Sequence, residues 1–327
     1  MKKKILLIIS AVCIVVGGMM FSVGNMMGGR GFNIDLTGSN RIKLVSELQE
    51  YAVKDMNYEA FDSVLTDLSD CEVQVRHSED GTFGVDMKLY TYNQDNIEFG
   101  VTDGQLIIKN TDDRKSFSFN FDFFDDKHQY VYIYVPDGMC ESIHVSTSNE
   151  RIVFEDVDVK NEVYAHTGNG QISFTNINSQ EITASSSNNE ISMDGITAEV
   201  LKLETSNARL TVRNVTADSL RAVTSNGAVN FDNVNGVDAV VKTSNGGIVL
   251  KDIYFDNSLE AKTSNSKAKV VLSGERDDYT YDIKTSNGTI SIDDADCGSK
   301  YKGGKGNSDV TISTSNADVV VEFGTGV

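Results

Sequence analysis

The sequence predicts an all-β protein: a parallel β-solenoid (β-helix) of about nine 19–22-residue coils with an N-terminal β cap region, preceded by one transmembrane helix. Three observations carry that prediction. The triplet Thr-Ser-Asn, or a close variant, recurs nine times between residues 147 and 316. After each triplet, apolar and polar residues alternate at fixed places, the pattern of a strand with one face buried. The composition, 27 Gly and one Pro in 327 residues, suits many short strands joined by tight turns.

In chain order, residues 1–30 read as cytoplasmic lysines and a membrane anchor. Lys2, Lys3 and Lys4 precede an uncharged, mostly apolar run from Ile5 to Gly24. A helix of that length covers ~30 Å, about one bilayer core. The positive-inside rule keeps the lysines in the cytoplasm and sends the rest of the chain outward. A cleaved signal peptide is the competing reading, but its apolar core is usually shorter and ends in an A-x-A-like site, which this run lacks. Residues 31–60 read as a stalk. There Ile42, Leu44, Val45, Leu48, Tyr51, Ala52 and Met56 fall at helical spacing and suggest a short amphipathic helix.

Residues 61–145 switch to period two and read as a β region that caps or starts the solenoid. Cys71–His77, Phe83–Thr91, Asn96–Asn110 broken at Asp103-Gly104, Ser116–Phe124 and Tyr130–Val135 all alternate or nearly so. Phe117, Phe119, Phe121 and Phe123 share one strand face, as do Tyr130, Tyr132 and Tyr134. An exposed aromatic row could stack on sugar rings; a buried Phe row beside a partly exposed Tyr row is the reading preferred here.

Residues 146–327 form the repeat. The third letters of the triplets are Asn149, Asn169, Asn188, Asn207, Asn226, Asn245, Asn265, Asn287 and Asn316, with gaps of 20, 19, 19, 19, 19, 20, 22 and 29 residues. Counting each Asn as the first place, the fourth and sixth places are apolar in every coil, from Ile152 and Phe154 to Val319 and Val321. A second pair follows, such as Ile182/Ala184 or Leu201/Leu203. No coil can bury such a row alone; stacked coils can. The triplet itself is scaffolding: the Thr continues the inward alternation into a narrow corner, and the Asn and the following Gly tolerate left-handed backbone there. Corner asparagines ~4.8 Å apart can bond to one another as a ladder. At the seventh place Asp194, Arg213, Asp232 and Lys251 alternate in sign, which suits a solubilising face. The 29-residue gap holds a Gly-rich stretch, residues 296–308, with Lys300, Lys302 and Lys305. It is a basic loop in an acidic region and a candidate contact for an anionic polymer.

A net charge of −19 repels nucleic acid and anionic head groups, so nucleic-acid binding is not expected as a role. Beyond Cys13, the cysteines Cys71, Cys140 and Cys297 allow at most one bridge among themselves, Cys71 with Cys140 being conceivable. His77, His128, His144 and His166 show no metal-ligand spacing, and neither an EF-hand nor a GGxGxDxUx repeat is present, so no metal or cofactor is expected. Paired carboxylates on a β-helix can cleave polysaccharides, but no coil stands out as a cleft, so no catalytic residues are assigned.

The anchor, the strand ending in IYVP (Ile133–Pro136) leading into ESIHVSTSNERIVFEDV, the repeated TSNG-x-I-x-L units and the terminal STSNADVVVEF together resemble the bacterial putative-adhesin family DUF4097. Its members include membrane-anchored proteins encoded beside envelope-stress regulators of the Lia type. The resemblance covers residues 60–327 and implies a β-solenoid outside a bacterial membrane, with no catalytic residues to carry over. TSNE at Thr147–Glu150, TGNG at Thr167–Gly170 and TSNA at Thr205–Ala208 depart from TSNG. The function expected is a non-enzymatic, anchored platform in adhesion or envelope-stress sensing, contacting a membrane and either a cell-wall polymer or a membrane protein. A carbohydrate-active enzyme and a spacer acting through its membrane segment are the alternatives.

Overall fold

Alternation of period two sets the backbone from Glu50 onward. The computed structural model describes residues 14, 16–18, 33–35, 43–45, 49–91, 93–110 and 128–324. It divides into two compact units, Met1–Gln49 with Tyr90–Gln94 and Asp112–Lys127, and Glu50–Leu89 with Asp95–Thr111 and His128–Val327. In the first, Ile14, Val16, Gly17 and Gly18 are helical, and β1 (Asn33–Asp35) pairs antiparallel with β2 (Lys43–Val45). The rest of the expected anchor, residues 5–24, lies outside the described residues, as does the phenylalanine row 117–123. Among the described residues no helix is long and apolar enough to cross a membrane.

The stalk helix is corrected. Residues 43–45 are strand, and β3 (Gln49–Tyr58) is a ten-residue strand. Helical spacing there competes with a second pattern: Tyr51, Val53 and Tyr58 are the half-buried positions. Tyr51 and Tyr58 pack on the Phe99 ring at 6.4 and 5.4 Å. Pairing of β3 with a neighbouring strand satisfies its backbone, which an isolated short helix could not do as well.

The second unit continues with β4 (Ser63–Asp67), β5 (Glu72–His77), β6 (Phe83–Thr91), β7 (Ile97–Thr102), β8 (Gln105–Asn110), β9 (Tyr130–Val135) and β10 (Cys140–Thr147). Asp103 and Gly104 join β7 to β8 with φ of 51° and 79°, the left-handed pair that a two-residue hairpin needs. Six long bent strands follow: β11 (Ile152–Thr167), β12 (Ile172–Ser186), β13 (Ile191–Thr205), β14 (Leu210–Thr224), β15 (Val229–Lys242) and β16 (Ile248–Lys262). The rest are β17 (Ala268–Ser273), β18 (Tyr279–Lys284), β19 (Ile290–Ile292), β20 (Ala295–Asp296), β21 (Lys300–Gly304), β22 (Ser308–Ser313) and β23 (Val319–Gly324).

Each bent strand supplies three arms of one coil, and coils stack in parallel register. Between β12 and β13, Ile172, Phe174, Ile177, Ile182 and Ala184 face Ile191, Met193, Ile196, Leu201 and Leu203, all buried. Phe154 and Phe174 stack with centroids 4.8 Å apart and planes 5° apart, the geometry that parallel layers impose. Each such Ile, Leu, Phe or Met side chain contributes about 1.5–3 kcal/mol by leaving water, so coils hold one another through their shared interior.

Layer order departs from chain order at both ends. The first arm of the β17 coil pairs with β23, and β23 then pairs with β19. The last arm of β16 pairs with β22, and β22 with β18. The C-terminal coil, residues 308–324, is therefore inserted beneath the coil of residues 279–292. The N-terminal end has the same device, with β4 lying between β10 and β8, and β5 between β11 and β9. Antiparallel strands then close both ends: β7 and β6 on β8 and β9, and β20 and β21 on β19 and β18. Sheet edges that would otherwise pair with another chain are thereby blunted. At the C-terminal end Tyr279 and Tyr281 fill the interior, and their hydroxyls donate to the Ser273 and Arg276 carbonyls. Cys71, Cys140 and Cys297 are free thiols, so the conceivable Cys71–Cys140 bridge does not form.

Candidate functional site

Repetition concentrates polar chemistry at the corners and on the outward faces of the stack. Asn149 Nδ2 donates to Asp70 Oδ1 at 2.5 Å, and Asn169, Asn188, Asn207, Asn226, Asn245 and Asn265 each donate to the Oδ1 of the asparagine in the preceding layer at 2.7–2.8 Å. The run continues from Asn265 to Asn316 and then to Asn287 at 2.7 and 2.8 Å, following layer order rather than chain order. Every amide points the same way, and Asp70, which can only accept, ends the run.

The triplet's conformational role differs from the expectation. None of these asparagines has positive φ; the left-handed residues are Asp156, Asn176, Gly195, Asn214, Asn233 and Asp252, seven positions later at the bend between the first two arms. Short Asx side chains tolerate that region and bond locally. A second, shorter ladder results, with Asn176 donating to Asp156, Asn214 to Asp194 and Asn233 to Asn214 at 2.7–2.9 Å. Its sequence signal is the Asp, Asn or Gly at the eighth place of successive coils. The glycine after the triplet answers close approach instead: a Cβ on Gly227 would overlap the Ala208 carbonyl, and one on Gly246 the Gly227 carbonyl.

Threonine does more than fill the corner. Thr243 Oγ1 donates to the Gly227 carbonyl at 3.0 Å and accepts the Gly246 N–H at 3.1 Å, and Thr224 does the same with Ala208 and Gly227 at 3.2 and 3.1 Å. These hydroxyls satisfy backbone groups of two layers at a buried turn.

On the outward faces charge is arranged in rows. At the seventh place, Glu155, Thr175, Asp194, Arg213, Asp232 and Lys251 stand in register, and Lys251 meets Asp232 at 3.1 Å. The stretch expected as a basic loop contains instead the five-residue strand β21, held antiparallel to β18, because backbone pairing at an open sheet edge outweighs its glycine content. Lys302 is 2.9 Å from Asp282, Lys300 stands opposite Lys284, and Lys305 is exposed in the turn after β21. The fold also brings together residues that sequence spacing keeps far apart. In layer order, Lys242 faces Lys262, Lys262 faces Ser313, Ser313 faces Lys284, and Lys284 faces Lys300. Lys242 meets Glu260 at 2.8 Å and Lys284 meets Asp282 at 2.9 Å; among the described residues no carboxylate pairs with Lys262 or Lys300.

One further polar cluster sits near the other end. Glu72 is 3% exposed, accepts from Arg151 at 2.8 Å and from Gln74, and lies 3.4 Å from His128. Burial alone would raise its carboxyl, but the bonds from Arg151 and Gln74, with the charges of Arg151 and His128, hold it below the usual glutamate range. Tyr132, beneath Arg76 at 5.7 Å, stacks on Tyr130 at 4.7 Å, so the tyrosine row is partly covered. The other histidines bond singly, His77 to Asp137, His144 to Glu162 and His166 to Ser185. Among the described residues no group of three or more His, Cys, Asp or Glu could hold a metal ion.

Comparison with known proteins places this architecture. Among solved structures, a putative lipid binding protein from Parabacteroides distasonis is 14% identical with a TM-score of 0.47, covering 84% of this chain and 96% of that one. Putative adhesins from Bacteroides fragilis and Parabacteroides distasonis are 11% and 10% identical, with TM-scores of 0.42 and 0.44; they cover 84% and 85% of this chain, and 97% of each of those chains is covered. No curated protein matches the sequence. The family model described as Toastrack DUF4097 matches residues 64–322, from the first inserted strand to the last, and by that match the chain belongs to the Toastrack DUF4097 family.

Proposed function

We propose that this chain is a non-enzymatic, membrane-anchored platform: an extracytoplasmic β-solenoid of about nine coils, preceded by one transmembrane helix, that makes adhesin-like contacts with the cell envelope. The observation that carries the reading is the unbroken corner run from Asp70 to Asn287. Its nine steps, at the spacing of parallel strands, span ~43 Å. The first stacked strands follow the apolar N-terminal segment in the chain, so the stack holds its lysine-bearing end far from the Asp70 end. Corner side chains are consumed in layer-to-layer bonds, which suits a stiff support better than a reacting centre. Three lysines before the apolar run support a cytoplasmic N-terminus and an external solenoid.

The test uses the full-length chain in cells. Membrane fractions should retain it through alkaline carbonate extraction, and protease added outside intact, wall-stripped cells should reach the repeat region. Isolated envelopes should pull down the detergent-solubilised chain saturably. Release by carbonate would overturn the anchor, and absence of saturable sedimentation would overturn the contact role.

A further inference from the structure

Like charges standing directly opposite on neighbouring strands destabilise a sheet. Elsewhere on this face the fold avoids the cost: Lys202 and Arg221 are neighbours, but Lys202 meets Glu181 at 2.6 Å and Arg221 meets Glu204 at 3.5 Å. At the C-terminal end Lys242 meets Glu260 at 2.8 Å and Lys284 meets Asp282 at 2.9 Å in the same way, but Lys262 beside Lys242, and Lys300 beside Lys284, pair with no carboxylate among the described residues, in a chain whose net charge is −19. Lys262, Lys284 and Lys300 are exposed, and the neutral Ser-Asn corner flanks their row. Lys262 and Lys300 thus each face a like charge with no acid of their own, and an external anion would offset that repulsion.

We propose that Lys242, Lys262, Lys284 and Lys300 form a track for a linear polymer carrying a phosphate at each repeat. The assignment rests on the envelope-contact reading for its biological setting, but not for its chemistry. Four lysines cover four layer steps, ~19 Å at strand spacing, so one extended chain can meet all of them while a single phosphate cannot. Lysine ammonium groups are point charges suited to phosphate, and no arginine fork for paired carboxylates lies in the row. Ser313 is the one uncharged step between the first and last lysine. The track exists because the C-terminal coil is inserted between two others.

Binding of the full-length chain to long-chain inorganic polyphosphate tests this, with polygalacturonate and orthophosphate as comparison probes. The variant carrying Lys242→Gln, Lys262→Gln, Lys284→Gln and Lys300→Gln should lose roughly tenfold or more in affinity at low salt and show a shallower salt dependence. A control variant removing the same charge elsewhere, Lys54→Gln, Lys88→Gln, Lys109→Gln and Lys160→Gln, should change less than about twofold. Ser313→Lys should tighten binding, which no folding defect could mimic. Unchanged binding by the row variant, or equal loss in both variants, would overturn the track. Equal binding of polygalacturonate would overturn the phosphate assignment, and equal binding of orthophosphate would overturn the extended occupant. Envelope sedimentation that survives the row variant would leave the contact role standing without this track; polyphosphate binding without envelope sedimentation would do the reverse.

Discussion

An asparagine side chain offers an acceptor oxygen and an amide donor, and a layer spacing of ~4.8 Å lets a corner residue use both on its neighbours. Asn226 donates to Asn207 and accepts from Asn245, each at 2.8 Å. Asn226→Asp replaces the donor with a second acceptor facing Asn207, and should cost about 1 kcal/mol at this exposed site; Asp70→Asn, which keeps an acceptor at the end of the run, should cost less. A melting temperature for Asn226→Asp no lower than that of the unsubstituted protein would show that the run carries no stability. Thr243 is buried, and Thr243→Val removes the partner of two backbone groups at once. A loss of about 1–3 kcal/mol is expected, read as a lower denaturant midpoint at unchanged slope, with Thr243→Ser restoring most of it. Glu72 gives a pH dependence with a definite sign. Its folded value lies below its unfolded value of about 4.3, so its stabilisation is complete above that pH and is lost as pH falls through the folded value. Glu72→Gln should therefore be less stable near neutrality yet lose less melting temperature on acidification below about pH 4; parallel acid profiles would refute the assignment.

Strands show which parts of the architecture are legible in sequence. Alternation identifies inward pairs such as Ile172 and Phe174, because a strand with one buried face admits no other period. It does not say which coil sits on which, since every coil presents the same apolar places. Ala268 could stack on Ile290 as well as on Val319, and the 29-residue gap is the sole sequence trace of the insertion. For the same reason the positions of Lys300, Lys302 and Lys305 are legible, but their neighbours are not. Residues 49–58 mislead because Tyr51 and Val53 are two apart while Ala52 and Met56 are four apart, and strand pairing decides between the periods. The insertion makes a prediction at this scale. Chain ends usually fray, yet β22 and β23 are paired on both sides, so amides such as Val310, Ile312 and Val321 should exchange as slowly as those of β14. Fast exchange there, with slow exchange in β18 and β19, would place the C-terminal coil outside the stack.

Across the whole molecule, each layer touches only its neighbours, so stability is the sum of layer and interface contributions against one long-range term, charge. The chain carries 48 acidic and 29 basic residues, and its acids are spread over all coils, including Asp218, Asp238 and Asp256 along one bend. Exposed ion pairs such as Lys251–Asp232 contribute less than about 1 kcal/mol each and weaken in salt. Repulsion within a net charge of −19 also weakens in salt, and it acts over every pair of layers within a Debye length, about 10 Å at 0.1 M. Distance decides which effect wins: a local pair is one contact, whereas each acid repels those of about two layers on either side at that screening length. Melting temperature should therefore rise with added sodium chloride, while attraction of any polyanion to the lysine row falls over the same range. A melting temperature that fell with salt would show that local ion pairs, not net charge, dominate the electrostatics of the stack.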